Sequence, residues 1–265
     1  MLPIYEAIDI LEIIPETAGH TRPWVVTANT PSGLGVFVVK MYNQRQVQDH
    51  CIITREIVSN LIAKQFDLFV PEVALINIPE ELAFRQGYTE QMLFNDADSN
   101  LKFASIRLKR SIGVIHGFPS RILKQKIDLD TLYAFDNLIR NQDRGQFKVN
   151  LLFSDKQVYL IDHELALQSN DINISRNEIL IPEDKFTKYH FAYPYLRKYR
   201  GVKKKALFNN FQEYLRLLNT RKLEPYFNQL QQLGFPDYSD KIVAWISHIK
   251  QNSTIFVERL KISLK

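Results

Sequence analysis

Cysteine is almost absent from this sequence, with Cys51 the single instance in 265 residues. One cysteine excludes an intramolecular disulfide and any cysteine-rich zinc site. Because Cys51 opens the apolar stretch Cys51-Ile52-Ile53, we expect a buried, inert thiol rather than a nucleophile. A chain of this length buries enough apolar surface to fold without a disulfide or metal staple.

Long apolar runs are missing as well. No stretch reaches the roughly 20 residues that a membrane-spanning helix needs. Residues 1–6 also lack the basic-then-apolar pattern of a secretory signal. These absences predict a cytoplasmic protein that does not act at a membrane.

Charge is only mildly unbalanced, at +5 with a sequence pI near 9.1. Much of the excess lies in residues 197–205, which contain six basic residues: Arg197, Lys198, Arg200, Lys203, Lys204 and Lys205. Such a run can bind phosphates or acidic surfaces, but a solvated turn before a helix is the better interpretation. We therefore expect no nucleic-acid binding.

The first third of the chain reads as strands around one helix. Turn-forming residues 29–33 separate two β-rich runs, Trp24–Ala28 and Gly35–Lys40, which predicts a hairpin. Apolar residues at helical spacing then predict one helix from about Gln46 to Phe66. Further strands are predicted at Val73–Ile76, Ala83-Phe84 and Gln91–Phe94.

Helices dominate from about residue 95 onward. They are predicted over Leu129–Asn141, Lys204–Asn219, Leu223–Leu233 and Lys241–Leu264, and a second hairpin joins Leu151–Phe153 to Val158–Ile161. The fold class is therefore α+β in two lobes, a β-rich N-lobe with one helix over residues 1–95 and a mostly helical C-lobe over residues 96–265. A cleft between lobes is a common place for a small ligand.

Polar residues that suit a metal and a phosphate concentrate around the second hairpin. Asp143 lies in the loop that follows an apolar helix, Asn150 ends that loop, and Asp162 follows the hairpin's apolar second strand. Two carboxylates and an amide suit Mg²⁺, which in turn suits nucleotide phosphates. Asp162 is the hardest of them to dismiss, because a charge after four apolar strand positions needs water, a partner or a metal.

Lys40 and Glu56 supply the remaining parts of a phosphoryl-transfer site. Lys40 ends a β-branched strand, as the lysine of a kinase's third strand does, and Glu56 on the next helix can pair with it. Each residue alone is ordinary: an aspartate turn, a strand-end lysine, a solvated helix glutamate. Their joint order along the chain favours a kinase.

From about Gly19 to Leu167 the sequence resembles a HipA-like kinase domain, related to the phosphatidylinositol 3/4-kinase and protein kinase superfamily. The resemblance is carried by Gly19-His20-Thr21-Arg22-Pro23, Val38-Val39-Lys40, Arg55-Glu56-Ile57, Leu68-Phe69-Val70-Pro71-Glu72, Phe135-Asp136-Asn137-Leu138-Ile139-Arg140-Asn141-Gln142-Asp143-Arg144, Asn150-Leu151-Leu152 and Leu160-Ile161-Asp162-His163.

The resemblance implies a bilobal kinase that uses ATP and Mg²⁺ and acts on serine or threonine of a protein, with a toxin-like role and an antitoxin-like partner. It implies that Lys40 contacts ATP phosphates, that Asp143 is the catalytic aspartate and that Asp162 binds the metal. The loop over Thr17–Thr21 would then cover the phosphates, and either threonine would be a site of self-phosphorylation.

One position departs from the family's pattern. An asparagine usually stands five positions after the catalytic aspartate, and here that position is Lys148. A charged lysine donates only and cannot ligate Mg²⁺. Three interpretations stay open: Asn150 supplies the amide instead, Lys148 neutralises phosphate charge in place of one metal, or the chain is a pseudokinase. A kinase for a small molecule or a lipid head group is a further alternative. Gly145, where the family has histidine or threonine, is a smaller departure.

Overall fold

The structure is a computed structural model that describes residues 1–15, 22–98, 100–114, 118–172 and 185–265. Thr17 and Thr21, with the loop expected over the phosphates, lie outside the described residues. The chain divides into two compact units that alternate along the sequence. The first comprises Met1–Ile57, Pro71–Lys109 and Pro225–Asp237, and the second comprises Val58–Val70, Arg110–Glu224 and Tyr238–Lys265. The lobes expected at residues 1–95 and 96–265 stay a prediction.

Strands come first along the chain and helices dominate afterwards, which confirms the α+β fold class. The strands of the described residues are β1 (Ile4–Ile13), β2 (Trp24–Thr30), β3 (Gly33–Val39), β4 (Val73–Asn77), β5 (Lys102–Ile106), β6 (Ile112–Gly113), β7 (Leu151–Ser154) and β8 (Gln157–Leu160). The helices are α1 (Gln44–Gln48), α2 (Ile52–Gln65), α3 (Glu80–Phe84), α4 (Tyr88–Asp96), α5 (Ser120–Lys126), α6 (Leu129–Leu138), α7 (Lys185–Tyr189), α8 (Tyr193–Leu196), α9 (Gly201–Lys205), α10 (Asn209–Leu217), α11 (Glu224–Gln232), α12 (Ser239–Gln251) and α13 (Ser253–Ser263).

The first unit is built on a closed barrel of five strands in the order β1-β2-β3-β5-β4. Neighbouring strands are antiparallel except β1 and β4, which run parallel. Alternate residues of β2 and β3 point into the core, among them Trp24, Val26, Phe37 and Val39. This period of two is what a strand with one buried face requires.

The first predicted hairpin is present. Thr30 and Gly33 form the closing pair of β2 and β3, so Pro31 and Ser32 are the turn. Gly33 has a φ of +106°, a conformation that an L side chain rarely adopts. Lys40 directly follows β3, so the pairing of β3 with β2 in this hairpin fixes where the Lys40 backbone lies.

The helix predicted from Gln46 to Phe66 is wrong as a single element. It breaks into α1 and α2 at residues 49–51, where Cys51 adopts a left-handed φ of +49°. The Asn43 side chain accepts from the Gln46 backbone and the Gln46 side chain accepts from the Asn43 backbone, a capping box that starts α1 separately.

The strands predicted at Ala83-Phe84 and Gln91–Phe94 are wrong, because both runs lie in helices, α3 and α4. Two acidic residues in the first turn of α3, Glu80 and Glu81, favour a helix N-terminus. The N-terminal region therefore holds more than the one helix expected, and the prediction also missed β1 and β5.

The second unit packs around α6, whose residues are buried on every side. The ring of Phe66 stacks on that of Phe211, with 5.2 Å between the ring centroids, and its centroid lies 5.8 Å from that of Phe135 of α6. Trp245 of α12 donates its indole N–H to the carbonyl of Leu138 over 2.8 Å. The C-terminal end of α6, from which the Asp143 loop departs, is therefore held by direct contacts.

The second predicted hairpin is present as β7 and β8, with Asp155 and Lys156 in its turn. The long C-terminal helices are each divided: Lys204–Asn219 at Phe208, which has a φ of +69°, and Lys241–Leu264 at Asn252. Across the described part of the chain, no helix combines the length and apolarity needed to cross a bilayer.

Candidate active site

Lys40 and Glu56 form an ion pair within the first unit. Lys40 directly follows β3, and its backbone N–H donates to the carbonyl of Phe103 over 2.9 Å, which ties it to β5. Its Nζ lies 3.9 Å from Oε1 of Glu56 on α2. The structure thus brings together the lysine and glutamate that the sequence paired.

Tyr42 completes this pair and was missed from the sequence. Its hydroxyl donates to the same Glu56 oxygen over 3.0 Å, and its ring centroid lies 5.8 Å from Nζ of Lys40. The Glu56 side chain is 2% exposed, and a carboxylate that deeply buried is tolerated only when it is paired and hydrogen-bonded. Tyr42 and Lys40 together meet that requirement.

Asp143 is held by residues of its own loop in the second unit. Oδ2 of Asp143 accepts from the amide of Asn150 over 2.9 Å, and also from Nζ of Lys148. The Asn150 amide reaches the Asp143 carbonyl as well, at 3.1 Å, and the Asp143 N–H donates to Oδ1 of Asn141 over 3.2 Å. Backbone and carboxylate of Asp143 are both fixed.

A buried polar network lies beneath this loop and was not predicted. Asp136 of α6 accepts from Arg144 Nε at 2.7 Å, from Asn141 at 3.0 Å and from His190 at 2.9 Å. Burial alone would raise the pKa of Asp136, but the Arg144 charge and these donors lower it to about 2. The loop is therefore anchored by an ionised, fully paired carboxylate.

The hydrogen bonds of His190 in that network define its tautomer. Its Nδ1 accepts from the backbone N–H of Ala192 over 3.0 Å, so the ring proton is on Nε2 and points to Asp136. Gly145 forms a bridge to His190, and the Phe191 N–H donates to the Arg144 carbonyl over 2.9 Å. Residues 190–191 thus clamp the backbone immediately after Asp143.

Asp162 lies two residues beyond β8 with a left-handed φ of +62°. Asn150, just before β7, is also left-handed at +50°, and its carbonyl accepts from the Ile161 N–H over 3.1 Å. Asn and Asp tolerate this region better than other side chains, and such conformations concentrate at functional sites. The two residues are placed by the same end of the hairpin.

Three carboxylates converge at this point. One oxygen each from Asp143, Asp162 and Glu164 all lie within 4.8 Å of one another. Oxygens that bind one Mg²⁺ are at most about 4.2 Å apart, twice the usual ligand distance. The donor set is the hard, oxygen-only set that Mg²⁺ prefers, and the 4.8 Å limit on its oxygen separations is close to that spacing. Glu164 is an unpredicted member, although its position two residues after Asp162 was a signal.

Lys148 is the cation of this cluster. Its Nζ hydrogen-bonds Oδ2 of Asp143 and lies 3.5 Å from Oδ2 of Asp162. Partial burial alone would lower the pKa of Lys148, but the Asp143 hydrogen bond and the charges of Asp162 and Glu164 raise it. The residue that departs from the family's pattern is therefore charged and sits between the two predicted aspartates.

The predicted site residues thus fall into two groups: Lys40 with Glu56 in the first unit, and Asp143, Asn150 and Asp162 together in the second. Their catalytic, nucleotide-binding and metal-binding roles stay predictions. The amide of Asn150 holds Asp143 directly, whatever it contributes to a metal.

Comparison with known protein structures bears on the fold of the chain. The crystal structure of the proinflammatory kinase CtkA of Helicobacter pylori is similar over 100% of both chains, with a TM-score of 0.52 and 12% identity. At that identity the likeness shows the fold alone, and it confirms the kinase-like fold. The PAN3 pseudokinase of Neurospora crassa matches 98% of this chain and 66% of its own at 14% identity, but its TM-score of 0.28 supports no conclusion.

No curated protein sequence matches the chain. A family model does, and it spans both the Lys40–Glu56 pair and the carboxylate cluster: the model described as HipA-like kinase matches residues 10–212. That match covers well over half of the chain, and the chain belongs to the HipA-like kinase family.

Proposed function

We propose that this chain is an ATP- and Mg²⁺-dependent kinase that phosphorylates serine or threonine of a protein. The observation that carries the proposal is the convergence of one oxygen each from Asp143, Asp162 and Glu164 within 4.8 Å of one another. A carboxylate cluster of this kind suits Mg²⁺, which is commonly held by one or two carboxylates and phosphate oxygens. Membership of a kinase family supports the same reading.

Each residue then has a stated task. Asp162, with Asn150 or Glu164, would hold Mg²⁺, which when bound neutralises charge on the phosphate oxygens. Lys40, oriented by Glu56 and Tyr42, would contact the phosphates from the first unit.

Asp143 would orient the substrate hydroxyl and accept its proton. The hydroxyl oxygen forms a bond to the γ-phosphorus, the bond from that phosphorus to the β–γ bridging oxygen breaks, and ADP leaves. The hydrogen bonds from Lys148 and Asn150 keep the Asp143 carboxylate in place.

Incubation with ATP labelled in its terminal phosphate tests the proposal. The wild type should show autophosphorylation or nucleotide turnover, and Asp143→Asn and Asp162→Asn should each reduce it by roughly 100-fold or more. Asp155→Asn, in the exposed β7–β8 turn, is the matched control and should leave it unchanged. Equal activity in the wild type and both site variants would refute the assignment.

A pseudokinase is the second candidate, and the position of Lys148 between the two aspartates favours it. In that case the protein would bind ATP but not turn it over. Calorimetry with ATP and Mg²⁺, run beside a sensitive turnover assay, separates the two functions, since clear turnover that depends on Asp143 excludes a pseudokinase.

A small-molecule or lipid head-group substrate is the remaining alternative. Its motive is the exposed α9, with Lys203, Lys204 and Lys205 in its last turn. If neutralising these lysines leaves phosphorylation of the substrate unchanged, the segment has no part in anion recognition. A cytoplasmic location, expected from the single cysteine and the lack of a long apolar run or signal pattern, is carried forward as a proposal. An antitoxin-like partner is carried forward as a proposal from the family resemblance.

A further inference from the structure

The carboxylate cluster carries its own counter-charge. Asp143, Asp162 and Glu164 bring three negative charges to one place, and like charges this close repel strongly. Lys148 touches two of the three. Arg144, next to Asp143, does not serve here, because its guanidinium is buried against Asp136. Lys148 therefore places a positive charge directly against two of the three carboxylates of the cluster.

The usual residue at this position would act differently. A kinase's catalytic-loop asparagine is neutral, and its amide oxygen helps to hold a second Mg²⁺. A lysine ammonium has no acceptor and adds a positive charge in the same space. Replacement of asparagine by lysine thus both removes a ligand and repels an incoming cation.

We propose that Lys148 is a built-in cation that stands in for the second metal ion, so that this centre takes one divalent ion rather than two and binds it more weakly than the bare carboxylates would. This rests on the proposed function where nucleotide is concerned.

Mn²⁺ binding without nucleotide tests the core of the proposal independently of any kinase activity. Free Mn²⁺ would be measured by electron paramagnetic resonance during titration of the wild type and of Lys148→Met. The variant should bind Mn²⁺ at least about tenfold more tightly, because a unit charge a few ångströms away has been removed. Equal affinity in the two proteins, or no Mn²⁺ binding by either, overturns the proposal.

Three further variants locate and control the effect. Lys148→Arg keeps the charge and should bind Mn²⁺ as the wild type does. Lys222→Met removes an exposed lysine elsewhere in the second unit and should also change nothing. Asp162→Ala in the Lys148→Met background should abolish the tighter binding. Tight binding that survives this double substitution would mean that the ion lies elsewhere and would overturn the proposal.

Thermal unfolding gives a readout that needs no assumption about metal count. Without Mn²⁺, Lys148→Met should melt below the wild type, because the cluster loses the positive charge that pairs with Asp143 and Asp162. Added Mn²⁺ should raise the melting temperature of the variant more than that of the wild type. An equal rise in both proteins contradicts the compensation argument.

The stoichiometry is measured with Mn²⁺ and a non-hydrolysable ATP analogue. The wild type should hold one Mn²⁺ per bound analogue and Lys148→Asn should hold two. Two ions in the wild type would overturn the one-ion centre. If the analogue does not bind at all, the proposed function fails, whereas the nucleotide-free titration still decides the role of Lys148.

Discussion

Arg144 donates its Nε–H to Oδ2 of Asp136 over 2.7 Å, and the two side chains are 0% and 1% exposed. Arg144 is the residue after Asp143, so this buried pair joins the predicted catalytic aspartate to the last turn of α6. Nη1 of Arg144 donates to the backbone carbonyls of both Val149 and Asn150. One guanidinium therefore holds both ends of the loop that carries Asp143 and Lys148.

Asp136→Asn should destabilise the protein strongly. The substitution leaves the Arg144 charge buried without its counter-ion, and removal of one partner of a buried pair costs about 3–5 kcal/mol. The free energy of unfolding, measured in urea, should fall by that amount. Asp155→Asn, in an exposed turn, should stay within about 0.5 kcal/mol of the wild type. A loss no larger than the control's would show that Arg144 does not depend on Asp136.

The same pair should make stability depend on acid pH. The pKa of Asp136 is lowered to about 2 in the folded protein, against about 3.9 in an unfolded chain. Its contribution is therefore present above pH 4 and is lost as the pH falls from about 4 to 2, by about 2 kcal/mol. The gap in unfolding free energy between wild type and Asp136→Asn should narrow by that amount. A constant gap over this range would contradict the shift.

Asp130 should have the opposite effect at higher pH. Burial, with the hydrogen bond and charge of Asp128, raises the pKa of Asp130 to about 7. The folded state therefore holds a proton that the unfolded chain releases near pH 4, and this stability is lost as the pH rises from about 4 to 7.

Asp130→Asn removes that dependence while its amide oxygen can still accept from the Phe208 N–H. Urea unfolding at pH 5 and pH 8 should show a decrease in the free energy of unfolding of the wild type. The corresponding decrease in the variant should be smaller by on the order of 2 kcal/mol. Asp240→Asn, in the first turn of α12, is the matched control. An unaltered pH dependence in Asp130→Asn would rule out the raised pKa.

The sequence was a good guide where local rules decide the structure. Both hairpins were predictable, because turn formers such as Gly33 separate β-branched runs. It failed for Ala83-Phe84 and Gln91–Phe94, since a short apolar run fits a strand or a buried helix equally well. The break between α1 and α2 at Cys51 was also missed. The apolar residues keep a helical spacing across the break, so the spacing did not indicate the left-handed backbone at Cys51 or the separate capping box that starts α1.

The residues of the candidate site likewise divide into those that the sequence could predict and those that it could not. Asp162 was recognisable because a charge that follows four apolar strand positions needs a partner, whereas Asp143 was recognisable only from its order along the chain with Lys40, Glu56 and Asp162. The Asp136–His190 contact joins residues 54 positions apart, and only tertiary packing brings them together. Asp136 itself was detectable as a charge that follows the apolar run Leu132–Phe135 of α6, but nothing in its neighbourhood along the chain identifies His190 as a partner. The 3.5 Å distance between Nζ of Lys148 and Oδ2 of Asp162 likewise depends on the pairing of β7 with β8, which brings the two ends of the hairpin together.

Cys51 should react slowly with alkylating reagents in the folded protein. It is 8% exposed, and burial raises the pKa of its thiol, with only partial relief from the Arg55 charge. Because the thiolate is the reactive form, iodoacetamide at pH 8 should label the native protein at least about tenfold more slowly than the protein in urea. Comparable rates under both conditions would show an accessible, activated thiol.

Tyr42→Phe should loosen Lys40 without touching the carboxylate cluster. The substitution deletes one hydrogen bond to the buried Glu56 carboxylate, and a bond to a charged group is worth about 1.5–3 kcal/mol. Glu56, the ion-pair partner of Lys40, would then be held less firmly, so Lys40 would be less well positioned. The KM for ATP should rise by roughly tenfold, while nucleotide-free Mn²⁺ binding stays unchanged. Tyr88→Phe, at a tyrosine that is 77% exposed, is the control and should behave as the wild type. A loss of Mn²⁺ binding in Tyr42→Phe would instead indicate a general structural defect, and an unchanged KM would show that Tyr42 does not position Lys40.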